Sequence, residues 1–160
     1  MKLNKWFYLV ALSFIWGSSF ILIKKGLVGL TAIELGSIRI IISALVLIPF
    51  TLNRLKKISF KQWKWIIISA FVGSFFPAFL FAFAEQEIDS SVASILNSIV
   101  PLNTIIIGLV LFGIKSTKRQ IIGVLLGFFG AYQLIISGIN LNPDQNYFYS
   151  GLVIICSFLY

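Results

Sequence analysis

Residues 91–114 read SVASILNSIVPLNTIIIGLVLFGI, and no side chain from Ser91 to Ile114 carries a charge. About 20 helical residues cross a hydrocarbon core, so this stretch is long enough for one crossing. It is not uniformly apolar. Ser90, Ser94, Asn97, Pro101, Thr104 and Gly108 recur at intervals of three and four, which sets them on one face of a helix. Acyl chains offer such groups nothing to bond, so the stripe is expected to face other helices or a wet cavity. Pro101 has no N–H and crowds the turn before it, which would leave the carbonyl of Asn97 without its usual partner. Two readings stand for Ser94, Asn97, Pro101 and Thr104: they line a cavity, or they pack helices through small residues and local hydrogen bonds.

Working outward, four more apolar stretches are long enough to span, near Trp6–Ile23, Ile33–Leu52, Trp65–Ala84 and Gln120–Ile139. A sixth run begins near Phe148 and reaches Tyr160, too short to cross. Across the 160 residues 59% are hydrophobic and 11% charged, where a soluble domain is about half apolar and a quarter charged. The fold class is therefore all-α transmembrane: a five-helix bundle with the start of a sixth helix. Lys2 and Lys5 before an apolar run could open a secretory leader, but the run is long and four more follow it, so an uncleaved first span is expected.

The formal charge of +8 sits in short basic runs between apolar stretches and shares no single face, which argues against a nucleic-acid partner. One cysteine, Cys156, and no histidine exclude a disulfide framework and a Cys/His metal site within this chain, and nothing points to a cofactor. Lys2, Lys5, Arg54, Lys56, Lys57, Lys61, Lys64, Lys115, Lys118 and Arg119 fall on one side if the spans alternate. All five acids, Glu34, Glu85, Glu87, Asp89 and Asp144, fall on the other, with Lys24 and Lys25 out of place. The positive-inside rule then puts the N-terminus in the cytoplasm of a multi-pass plasma or inner-membrane protein. Trp6, Trp63 and Trp65 mark the inner boundary; Tyr147 and Tyr149 mark the outer one. The Arg54–Lys64 segment reads as a topology determinant, or as a site for anionic lipid or an acidic partner.

Other spans carry weaker signals. Ser69, Gly73 and Pro77 permit close helix approach, with a kink expected at Pro77. Phe79, Phe81 and Phe83 either line an apolar pocket or face lipid. Gly123, Gly127 and Gly130 form a small-residue face suited to tight helix packing, within one chain or between chains. Arg39 lies about five residues inside the outer end of its span, where a charge needs to snorkel, to pair with Glu85, Glu87 or Asp89, or to bind an anionic group of a substrate. Ser13, Gly17, Phe20 and Lys24 share a face around Trp16-Gly17-Ser18-Ser19.

Ser157-Phe158-Leu159-Tyr160 echoes Ser13-Phe14-Ile15-Trp16. With five spans between, a second copy would enter from the opposite side, as in the inverted repeats of secondary transporters. The expected plan is a five-helix repeat over 1–140, then an outer loop and a truncated first helix of a second repeat over 141–160. A missing second repeat or a homodimer partner would complete it, and the charge bias argues against an antiparallel pair.

At these residues the chain resembles the EamA family of the drug/metabolite transporter superfamily. Ile15-Trp16-Gly17-Ser18-Ser19-Phe20 with Lys24 looks like that family's first-helix signature, and the span with Glu34 and Arg39 is similar to its second helix. Val100-Pro101-Leu102 resembles the Pro-containing fourth helix, and Gln120 through Gly130 the Gln, Gly and Gly pattern of the fifth. The resemblance implies ten helices in two inverted five-helix repeats, a central cavity, and movement of small metabolites such as amino acids. Ile114 stands where a glutamate commonly follows the fourth-helix glycine. With no acid placed at mid-membrane and no histidine, proton coupling is not expected.

The leading expectation is a secondary transporter half-unit rather than an enzyme, since no nucleophile–base or metal set appears. Trp16, Asn97, Asn103 and Arg39 are the substrate-contact candidates. Asn103 lies off the span-four stripe, so the two asparagines share a cavity only if Pro101 distorts the helix. The alternative is a non-transporting membrane scaffold or assembly subunit.

Overall fold

A computed structural model describes residues 5–55, 58–138 and 146–160. Every regular element among them is helical: α1 (Lys5–Gly26), α2 (Ala32–Leu55), α3 (Phe60–Ala70), a π-helical turn (Phe71–Phe75), α4 (Phe76–Glu87), α5 (Ser90–Asn97), α6 (Val100–Phe112), α7 (Lys118–Gly138), a 3-10 turn (Tyr147–Tyr149) and α8 (Ser150–Leu159). By length and composition, four stretches of the described chain can cross a bilayer: Lys5–Gly26, Ala32–Leu52, Phe60–Glu87 and Ser90–Phe112. The helix α7 occupies the place of the expected fifth span. Ile139, the expected domain boundary at 140 and Asp144 lie outside the described residues.

Three helices start on the same device. Ahead of α2, the Thr31 N–H and hydroxyl donate to Glu34 Oε2 at 2.8 and 2.9 Å, and the Glu34 N–H returns to Thr31 Oγ1 at 3.3 Å. Ser59 and Gln62 open α3 with an N–H to Oε1 bond of 2.9 Å. Thr117 and Gln120 repeat the reciprocal pattern at α7. Each is a capping box, which satisfies end donors that would otherwise lie bare at the edge of a low-dielectric layer.

The two prolines act differently from the expected mid-span distortion. Span four is broken at Ser98–Ile99, a turn closed by Ser98 N to Ile95 O at 2.9 Å and Ile99 N to Leu96 O at 3.2 Å. Pro101 then sits in the first turn of α6, where an N–H would lack an intrahelical partner anyway. Pro77 likewise lies in the first turn of α4, directly after the π-turn, whose closing bond runs from the Phe76 N–H to the Phe71 carbonyl. A π-turn is one extra residue accommodated by a wider loop of backbone.

Packing is gathered at one end. The buried apolar side chains are Ile23 at the end of α1, Ala32 and Leu35 at the start of α2, Phe81, Ala82, Ala84 and Ile88 around the end of α4, and Val92 and Ala93 in α5. Val153 and Cys156 of α8 complete this core, so the short final helix is a central element of the bundle. Gly36 lets α2 approach α4 closely: a Cβ there would come within 2.6 Å of the Phe79 ring. At the other end Phe50 and Phe60 are 76% and 95% exposed, and Phe14 in the middle of α1 is 76% exposed. Apolar surface on that scale is untenable in water and natural against acyl chains.

Candidate functional site

A cavity of about 680 Å³ opens between α1, α2, the α3–α4 helix and the α5–α6 junction. From α1 it takes Trp16, Ser19 and Phe20; from α2, Arg39 and Ser43. The π-turn contributes Gly73 and Ser74, so the widened stretch of backbone forms part of the wall. Asn97, at the last turn of α5, and Tyr160, just after α8, complete the polar part of the lining.

The lining is mostly apolar with a few polar groups, as a small-molecule site requires. Ser19 and Ser43 spend their hydroxyl hydrogens on their own helices, donating to Trp16 O and Arg39 O at 2.7 Å each. What they offer the cavity is therefore acceptor lone pairs. Arg39 is the one charged residue among the described lining residues. Its Nη1 reaches only the Ala78 carbonyl, at a long 3.5 Å, which leaves most of its five donors for another group. Asn97 Oδ1 is buried and has no hydrogen-bond partner. The cavity thus sets a fork of donors beside an indole ring and an asparagine whose buried amide oxygen is unpartnered.

Of the residues singled out from sequence, the cavity brings together Trp16, Arg39 and Asn97. Asn103 points elsewhere: its Nδ2 donates to Ser157 Oγ at 2.8 Å and Ser157 O at 3.2 Å, pinning α6 to α8. Ser94 and Thr104 donate to their own backbone, at Ser91 O and Val100 O, and Pro101 is exposed. These three residues and Phe79, packed on Gly36, do not line the cavity. The glycine face of α7 is open: no described atom lies within 4 Å of a Cβ built at Gly123, Gly127 or Gly130.

Glu85, read from the sequence as an outer-side acid and a candidate partner for Arg39, is fully buried, one helical turn from the cavity-lining Phe81. The signal available was Lys24, one of two basic residues on the wrong side. Its Nζ caps the end of α4, donating to Glu85 O at 2.7 Å and Ile88 O at 2.9 Å.

A helical bundle with membrane-length apolar spans around a partly polar cavity defines a multi-pass membrane protein. Residues 4–136 match the EamA-like transporter family, and the chain belongs to that family. Among curated proteins it is similar to the "Uncharacterized inner membrane transporter YedA" of Escherichia coli strain K12, 30% identical over 134 residues that make up 81% of this chain and 43% of the relative. The proteins of the same name from the O6:H1 and O157:H7 strains match equally. The chain thus spans less than half the length of the curated relatives it matches. No solved structure matches it.

Proposed function

We propose that the chain is one half of a secondary transporter that moves small metabolites such as amino acids across the inner membrane by alternating access. The observation that carries this reading is the cavity itself, which Arg39, Asn97 and Trp16 line together. An amino acid is the matching chemistry: its carboxylate takes the guanidinium fork, its ammonium the amide oxygen, and its side chain the indole. In this reading α7 is the fifth span, the N-terminus is cytoplasmic, and α8 begins a second, inverted repeat over 141–160 and beyond. That repeat, or a second copy of the chain, supplies the facing wall. The packed end carries the α1–α2 and α4–α5 connections and is the outer end, so the cavity opens inward.

The test is flux of labelled amino acids in proteoliposomes holding the full-length protein. Saturable uptake that vanishes in Asn97→Ala, with folding intact, supports the site; undiminished uptake in that variant discards it. A second reading, a non-transporting scaffold, draws on the open glycine face of α7. It predicts no saturable flux for any solute and a stable partner lost on Gly127→Leu.

A further inference from the structure

We propose that Glu85 is a proton-binding site, and that its proton is exchanged during the transport cycle. The coupling half of this rests on the transport reading above; the proton-binding half does not.

The hydrogen-bond arithmetic carries it. The Glu85 side chain is wholly buried, and its Oε2 lies 2.9 Å from Ser90 Oγ while its Oε1 has no partner. Ser90 Oγ also lies 3.1 Å from the backbone carbonyl of Phe20. A hydroxyl has one hydrogen and two lone pairs, so Ser90 cannot donate to both oxygens at once. With a proton on Oε2 the conflict disappears: Glu85 Oε2–H donates to Ser90 Oγ, and Ser90 Oγ–H donates to Phe20 O. Every hydrogen then has one acceptor. Oε1 is left as a neutral carbonyl oxygen, which tolerates burial far better than a carboxylate oxygen does.

The surrounding charges point the same way. Facing Glu85 are Lys24 from α1, Arg39 from α2 and, beyond Arg39, the Tyr160 hydroxyl after α8. Ser90 faces it from α5, and Glu87 shares the nearby crevice on its own helix. The Lys24 ammonium passes over the carboxyl and binds two backbone carbonyls, one of them that of Glu85 itself. A buried carboxylate would draw that ammonium to itself, because an unpaired buried anion is among the costliest groups a protein can hold. The arrangement is that of a neutral acid beside a parked cation.

The position suits exchange. Glu85 lines a crevice with Lys24, Gln86 and Glu87 at the packed end of the bundle. On the cavity side it is screened by Phe81, whose ring stacks edge-on against Phe20 with centroids 5.7 Å apart. The step is simple: an O–H bond at Oε2 forms with a proton from water on one side of the membrane and breaks to water on the other. No electrons move. On release, Lys24 or Arg39 turns to the carboxylate, which loosens the clasp of α1 on α4.

Infrared spectroscopy of the full-length protein in liposomes at neutral pH, with no solute added, reads the proton directly. The wild type is expected to show the carbonyl stretch of a protonated carboxylic acid, absent in Glu85→Gln. In Ser90→Ala the band is expected at higher frequency, since the acid loses its acceptor. A wild-type spectrum without that band, or a band unchanged in both variants, overturns proton binding. With amino-acid exchange as the probe, Glu85→Gln should retain exchange across the membrane but lose accumulation driven by a pH gradient, down to the equilibrium ratio. Equal accumulation in wild type and variant overturns the coupling. Liposomes in which even the wild type exchanges nothing overturn the transport reading and the coupling with it, while the infrared bands still decide the proton site.

Discussion

Asn97 and Asn103 have the same side chain and opposite employment. Asn103 joins two helices through Ser157 and is 5% exposed; Asn97 keeps a buried oxygen to which nothing in the described chain donates. Asn103→Ala is therefore expected to lower stability by about 0.6–2 kcal/mol, the range for interhelical hydrogen bonds in membranes. Asn97→Ala should cost no stability while abolishing flux. Thermal unfolding in detergent, followed by the monodisperse fraction on size exclusion, separates the two. A close contact gives a second expectation: Gly36→Ala drives a methyl into the Phe79 ring, at a cost of about 1–3 kcal/mol for overpacking. Phe79→Leu in the same chain should recover most of it. From the sequence, both asparagines read as contact candidates because residue type is what a sequence displays; helical register already set them on different faces. The burial of Glu85 was hidden for a related reason. Its place near the end of a span is legible, but the Lys24 ammonium and Ser90 hydroxyl that enclose it arrive from 61 residues before it and from the next helix.

At the level of the element, the helices were readable and their interruptions were not. Apolar length fixes where a span must be, because no other backbone arrangement satisfies itself in lipid. It says nothing of a wide turn at Phe71–Phe75 or a break at Ser98–Ile99, which depend on what the flanking turns pack against. Both prolines pointed to the neighbourhood of an interruption and lay just downstream of it. The three capping boxes, by contrast, stand in plain view as Thr31-x-x-Glu34, Ser59-x-x-Gln62 and Thr117-x-x-Gln120, and would have corrected the helix starts. Thr117→Ala removes the cap of α7 and is expected to cost about 0.5–2 kcal/mol of stability in the same unfolding assay. The π-turn makes a sharper test. Deleting Val72 removes the residue that the wide turn absorbs, and is expected to return it to regular helix with the faces of α3 and α4 still in register. Ala70 lines the cavity, so a cysteine at position 70 should keep its reactivity toward water-borne maleimide in the deletion variant.

For the molecule as a whole, the division into a packed end and an open end governs what reagents can reach. Cys156, this chain's one thiol, is fully buried in the packed end and should resist maleimide in intact membranes until the protein is denatured. That leaves a silent background for single cysteines. Ser43→Cys and Ser74→Cys line the cavity and are expected to react faster with membrane-impermeant reagents from the cytoplasmic side than from the outside. Phe14→Cys, on the lipid-facing surface, should not react from either side. Faster labelling of Ser74→Cys from the outside than from the cytoplasmic side would reverse the proposed orientation. The core at the α1–α2 and α4–α5 connections also works as a fulcrum. Side chains interlock there, while the far tips of α1, α2 and α6 touch little but their surroundings, so small rotations at the clasp become wide excursions at the tips. Amide deuteration in detergent should accordingly climb in a gradient along each helix, slowest beside Ala82 and Ala93 and fastest toward Leu9, Phe50 and Leu111, as in tweezers held closed at the hinge.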